Sequence, residues 1–356
     1  MVIAVTGGTG FLGVHTVGRL LAAGARVRVL ARSPERLPAA LGLVGADPAA
    51  IEVVAGDVTD ASAVARLVAG AETVLHAAGV YTFDSRRRAE VRRVNEGGTE
   101  TVLAAARAAG AARIVHVSTV GALYPAPAGS IGPDTPPGSS REPYLAAKAA
   151  AERTARRHRA EGVPVTIAYP PALLGPADPH LGDQNARLRD LLRGLMPFWP
   201  SGGLPIGDVR DSAAQLAAVL TAAGPVGPAY FGPGHFLSTR GYLDVVRSAT
   251  GRRLPALFLP PAALVPAGRL GGLLQRVWPW HVPAEYGAIH VCAVAAPVAA
   301  GAPDAGIPAR PADGTVRDTV AWLHGAGLLT DRQAGTARAA AVPGQAGSTS
   351  TEEVLT

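Results

Sequence analysis

A short apolar run, Val2 to Val5, passes directly into TGGTGFLG (Thr6 to Gly13) and then into a helical pattern carried by Val14, Val17, Leu20 and Leu21. Gly7, Gly10 and Gly13 therefore form GxxGxxG between a first strand and a first helix. Glycine permits the tight turn, lets the backbone approach a pyrophosphate, and allows close packing of helix on strand. The helix N-terminus adds N–H donors and a partial positive charge. In a chain with 43 glycines the spacing alone means little. Its position between the first strand and the first helix is what favours a dinucleotide site over a plain tight turn, and it nominates Gly7, Thr9, Gly10, Phe11, Leu12 and Gly13 as cofactor-binding residues.

The alternation continues. Arg26 to Leu30, Ile51 to Ala55, Thr73 to Ala77, Arg113 to Ser118 and Val165 to Tyr169 read as strands, separated by helical patterns at Ser62 to Val68, Val91 to Ala109 and Tyr144 to Ala160. Strands alternating with helices predict an α/β fold, a Rossmann-type doubly wound parallel sheet, with a smaller C-terminal substrate lobe. Residues 1–169 are expected to form the nucleotide domain, with 206–231 returning to it, and 170–205 and 232–330 to form the lobe. The small polar residues of 331–356 are expected to be a disordered tail. Helices are expected near Gln184 to Leu195, Ala213 to Ala223, Arg240 to Ala249 and Thr315 to Gly327, with one further strand at Ala229 to Phe231.

The end of the second strand bears on cofactor choice. An acidic residue there accepts from the ribose 2′-OH of NAD. This chain has Ala31 followed by Arg32, and a guanidinium can stack on adenine and pair with a 2′-phosphate. NADP is therefore expected in preference to NAD.

Of the 33 basic residues, all but Lys148 are arginine. A chain drifting from lysine to arginine wherever either serves keeps lysine where a guanidinium fails, unless by chance. Tyr144 and Lys148 form YxxxK at the start of a helix, an i, i+4 pair on one face. Ser118 and Thr119 end a preceding strand, where parallel sheets place their ligands. A phenol is a poor base at neutral pH. A nearby ammonium favours the phenolate, and its remaining donors can hold ribose hydroxyls. The competing reading is a half-buried tyrosine capped by a surface lysine.

These motifs together resemble an extended short-chain dehydrogenase/reductase of the NAD-dependent epimerase/dehydratase superfamily, in the manner of dihydroflavonol reductases and 3β-hydroxysteroid dehydrogenases. The resemblance runs from about Val2 to Thr330 and includes GDV (Gly56 to Val58), HAAG (His76 to Gly79), VNEGGT (Val94 to Thr99), VST (Val117 to Thr119) and YLAAK (Tyr144 to Lys148). It implies that Asp57 and Val58 contact adenine and that Ala77, Ala78 and Gly79 line the cofactor. Asn95 would support the central sheet beside it, and Pro170 would cover the nicotinamide together with Pro171. Thr119 aligns with the family's catalytic Ser/Thr, with Ser118 next to it, alongside Tyr144 and Lys148. Sugar-nucleotide dehydratases of the family place an acidic pair beside that Thr; here Val120 and Gly121 follow it. The GDVRD segment (Gly207 to Asp211) looks like a structural hinge.

The expected activity is NADP-dependent interconversion of a ketone or aldehyde with an alcohol. Tyr81, Phe83, Leu123, Leu174, Phe198 and Trp199 suggest an apolar substrate pocket. A sugar-nucleotide epimerase with tightly bound NAD, or a non-catalytic NADP-binding sensor or assembly subunit, are the alternatives. His180, His235 and His281 lack metal-ligand spacing, and Cys292 reads as a small hydrophobe. The net charge of +6 with no clean basic stripe argues against nucleic acid. No uninterrupted apolar span of transmembrane length occurs, and no signal peptide is visible. A small carbonyl or alcohol partner in the cytoplasm is expected, with a homodimer left open.

Overall fold

Twelve segments adopt strand geometry in the computed structural model, which describes residues 1–266 and 286–338. In chain order they are β1 (Val2–Thr6), β2 (Arg26–Ala31), β3 (Ile51–Ala55), β4 (Thr73–His76), β5 (Arg113–Val117), β6 (Val165–Tyr169), β7 (Ala172–Leu174), β8 (Phe198–Pro200), β9 (Gly203–Asp208), β10 (Ala229–Phe231), β11 (His235–Ser238) and β12 (Leu257–Leu259). Seven of them form one parallel sheet in the order β10-β6-β5-β4-β1-β2-β3. The order reverses between β1 and β4, so the crevice at their carboxyl ends is the topological switch point at which such sheets bind ligands.

The helices are α1 (Phe11–Ala22), α2 (Leu37–Gly42), α3 (Ala61–Val68), α4 (Arg88–Arg92), α5 (Gly98–Ala108), α6 (Pro143–Ala160), α7 (Asp183–Leu192), α8 (Val209–Thr221) and α9 (Thr239–Thr250), followed by Tyr286–Val294, Ala312–Gly325 and Asp331–Ala334. On one face of the sheet Val14, Val17 and Leu20 of α1 pack with Leu216, Val219 and Leu220 of α8. On the other, Val64 and Leu67 of α3, Val102 and Leu103 of α5, and Ala147 and Ala155 of α6 form the second layer of core. Central strands buried throughout their length, such as β4, are what coverage of both faces produces.

A separate core joins Leu188 and Leu191 of α7, Leu243 and Val246 of α9, and Val316 and Val320 of Ala312–Gly325. It supports a three-stranded sheet, β11-β9-β7, and the pair β12-β8. α9 ends at Gly251, whose left-handed φ of 66° suits a residue without a Cβ. In GDVRD, Asp208 caps α8 by accepting from the Arg210 amide at 2.8 Å.

Three expectations need correction. The helix read over Val91 to Ala109 begins at Arg88 and is interrupted by a π-turn at Arg93–Gly97. The tail expected from residue 331 is structured over 331–338. Thr330 and Gln333 make a capping box, and Ala334 and Ala337 are buried in the second core. Residues following Val294, expected in the lobe, return to the large core: Ala296 is buried there, Tyr124 donates to its carbonyl at 3.3 Å, and Val298 bridges to Ile131. His281, the rest of 267–285, and the tail at 339–356 lie outside the described residues. No helix among the described residues is long and apolar enough to cross a membrane.

Candidate active site

The turn between β1 and α1 is built for close approach of its backbone to the crevice. Gly7 has φ 75°, and a Cβ there would stand 2.5 Å from the Ala78 nitrogen. A side chain on Gly13 would run into the Gly7 carbonyl. Gly10 donates to Gly7 O at 3.0 Å and caps α1 without any side-chain hydrogen bond. The first N–H groups of α1 are thus left to an external acceptor. A close-approach cradle at a helix N-terminus fits a dinucleotide pyrophosphate.

Around this turn lies a cavity of about 180 Å³ lined by Gly7, Thr9, Gly10, Arg32, Asp57, Val58, Ala77, Ala78 and Gly79. Gly13 sits beneath it as packing. Asp57 accepts from the Thr59 amide and hydroxyl at 2.9 and 2.6 Å. Burial pushes its carboxyl upward, but those two hydrogen bonds with Arg93 and Arg32 outweigh it and hold the group below the usual carboxylate range. Asn95 does not line the cavity. It grips Val80, accepting from the amide at 2.8 Å and donating to the carbonyl at 3.0 Å, and so shapes the wall from behind.

At the other end of the crevice a cavity of about 320 Å³ is lined by Phe11, Leu12, Ser118, Thr119, Tyr144 and Pro170, with Tyr81 and Phe83. Thr119 follows β5, donates to Pro170 O at 3.4 Å and caps the turn Val120–Leu123. The Ser118 hydroxyl is buried without a hydrogen-bond partner. Tyr144 stands in the first turn of α6, where Pro143 tolerates the missing donor and Glu142 caps by accepting from Leu145 N at 2.8 Å. The Tyr144 ring meets Tyr81 and Phe83 edge-on, with centroids 4.7 and 5.8 Å away. Burial pushes its phenol well above the ordinary value, reinforced by Tyr81, Glu142 and Asp183.

One turn further, Lys148 is buried and lines neither cavity. Its ammonium donates to Val117 O at 3.0 Å. Burial lowers its pKa to about 8, against which Glu152 acts. The lysine's hydrogen bond is to the strand end, and desolvation is the largest influence on the tyrosine. Glu152, fully buried, accepts from Tyr169 at 2.5 Å and from Arg156 at 2.8 Å. Beneath Lys148, His76 and His116 face each other across β4 and β5 with ring centroids 5.3 Å apart. Burial, with Lys148 nearby, holds both far below the usual histidine range, His76 at about 3.

Several lining residues were not legible in advance. Asp178 and Asn185 line the larger cavity, and Asp178 accepts from Asn185 at 3.0 Å. His180 lines the nucleotide cavity. Asp178 and His180 sit on an irregular connection whose path sequence periodicity does not reveal, and Asn185 in the first turn of α7, whose facing toward the cavity depends on tertiary packing. Of the apolar candidates, Leu123 and Leu174 are core residues, while Phe198 and Trp199 line an adjoining chamber.

Residues 3–225 match the NAD dependent epimerase/dehydratase family. The chain is 29% identical to the sterol demethylase protein B of Methylococcus capsulatus, over 78% of this chain and 83% of that protein. It is 32% identical to a 4-hydroxy-2-methyl-3-oxo-4-farnesyl-3,4-dihydroquinoline-1-oxide ketoreductase of Stigmatella aurantiaca, over 76% of this chain and 80% of the relative. Among solved structures it superposes on the dTDP-glucose 4,6-dehydratase of Streptomyces venezuelae with NAD bound, at 26% identity and a TM-score of 0.68, covering 91% and 97% of the two chains.

Proposed function

Starting from a chain that belongs to the NAD dependent epimerase/dehydratase family and is an NAD(P)-dependent oxidoreductase, we propose that it reduces a ketone or aldehyde on an apolar substrate, with NADP(H) preferred. The observation that carries this reading is the convergence of Ser118, Thr119 and Tyr144 on one largely apolar cavity next to the glycine turn. NADP(H), when bound, supplies or accepts the hydride. Gly7, Gly10 and the start of α1 would hold its pyrophosphate, and Arg32 its 2′-phosphate.

In the reducing direction the carbonyl π bond breaks as a C–H bond forms, and the oxygen needs a proton. Tyr144 is suited to give it, because a phenol held well above its ordinary range stays protonated at neutral pH. Thr119, turning its hydroxyl from Pro170 O, and the unpartnered hydroxyl of Ser118 would donate to the same oxygen and share its developing charge. Lys148 would hold the ribose and, by its charge, stabilise the phenolate left behind until it is reprotonated.

Relatives named for a sterol and a farnesylated ring support an apolar substrate. The likeness to a sugar-nucleotide dehydratase keeps that chemistry as a rival, but Val120 and Gly121 replace an acidic pair beside Thr119. Screening apolar carbonyl compounds for NADPH oxidation, with dTDP- and UDP-hexoses in parallel, tests the reading. Alcohol formation supports it; sugar conversion without added cofactor overturns it.

A further inference from the structure

The cavity at Tyr144 opens into a second chamber of about 210 Å³, and the two share Tyr81, Phe83, Gln184, Leu204 and Val291 as common wall. The second chamber is mainly apolar. Met196, Trp199, Ile206, Tyr242, Ile289 and Cys292 line it, drawn from the approach to β8, β8 itself, β9, α9 and the helix Tyr286–Val294. The Trp199 indole spends its one donor on Met196 O at 2.9 Å. Burial pushes the Cys292 thiol up to about 12, so it stays a neutral, apolar group. The side chains suited to the carbonyl, Ser118, Thr119 and Tyr144, line the first cavity, while Arg187, stacked over Phe83, is a charged group on the wall of the second.

We propose that the second chamber is a subsite for a neutral hydrocarbon tail, so that the substrate is an amphiphile with its carbonyl in the first cavity and its chain in the second. This deepens the reductase reading and rests on it. A mainly apolar chamber adjoining the reactive cavity selects by chain length, because each methylene taken from water into an apolar wall tightens binding about three- to fourfold.

The test reads binding independently of turnover. cis-Parinaric acid, a fluorescent polyene chain, is bound to the full-length protein and displaced by straight-chain methyl ketones from butanone to tridecanone. Affinity is expected to climb with each added methylene and then level off as the chamber fills. Ala288, on the chamber wall, is replaced in Ala288→Trp, which is expected to weaken tridecanone at least tenfold and flatten the series. An affinity independent of chain length in the wild-type protein overturns the proposal, and that result needs no variant to fold. A folded Ala288→Trp protein that binds tridecanone like wild type overturns it too. Length-dependent binding with no NADPH oxidation for any ketone would instead fail the reductase reading while leaving the tail subsite in place.

Discussion

The Lys148 ammonium donates to the Val117 carbonyl at 3.0 Å, which pins it at the carboxyl end of β5, one residue before Ser118. The contact is made by a compact charge with rotatable donors. A guanidinium is planar, longer and forked, and cannot keep that bond while presenting a donor in the same place. Lys148→Arg is therefore expected to retain the fold and lose turnover on the order of a hundredfold, the cost of misplacing a group by about 1 Å. Steady-state kinetics with a thermal melt checks this. Near-wild-type kcat would mark the lone lysine as a chance survivor.

The same burial sets a pH dependence. With Lys148 at about 8, its ammonium is present below that pH and is lost as pH rises through it. Reduction is expected to fall over this window, and the fall should vanish from the profile of Lys148→Met, whose residual rate lacks the titrating group. Stability moves the other way. Between about 8 and the unfolded value near 10.4, the unfolded chain binds more protons at this position than the folded one. Raising pH across that window adds stability in wild type and does not in Lys148→Met.

His76 and His116 predict acid lability. Both are buried and held far below the ordinary histidine range. Below pH about 6.5 the unfolded chain takes up protons that the folded chain refuses, so each costs about 1.4 kcal/mol of stability per pH unit. Both His116 nitrogens lack partners, so His116→Phe should shed an uncompensated polar group and shallow the acid slope. Urea unfolding at pH 7.5 and 5 reads the difference. A variant with an unchanged slope would show that His116 does not titrate on unfolding.

Arg32 and Asp57 line the same cavity beside the glycine turn. NADPH is expected to bind at least tenfold more tightly than NADH, a preference of about 1.4 kcal/mol, within reach of one charge-assisted phosphate contact. Arg32→Ala should lose most of it. Cofactor fluorescence titration decides the matter, and equal affinities in wild type would remove the NADP assignment.

Local signals made half of the fold legible. The turn at Gly7 to Gly13 and the strands up to Tyr169 show in the chain because each glycine and each apolar run answers to its immediate neighbours. The strand end at Ser118 and Thr119 and the pair Tyr144–Lys148 follow from the same periodicities. In the second half α7, α8, α9, the helix Ala312–Gly325 and the strand Ala229–Phe231 were legible, but β7, β8 and β12 were not, because each is three residues long, too short for alternation to register. Asp178 and Asn185 were missed because only tertiary packing brings the connection bearing Asp178 and the first turn of α7 bearing Asn185 over the cavity. Lys148's true partner was invisible too. YxxxK spacing predicts a shared helix face, but the acceptor at Val117 belongs to another strand.

The central claim is that Tyr144 delivers the proton in a hydride reduction whose cofactor is held elsewhere. Its most direct test is NADPH oxidation with an accepted ketone, measured for wild type and Tyr144→Phe alongside cofactor affinity for both. The account predicts that Tyr144→Phe binds NADPH like wild type and loses turnover by about a hundredfold or more, the usual scale of a positioned acid. Turnover close to wild type in a variant that still binds NADPH would contradict it.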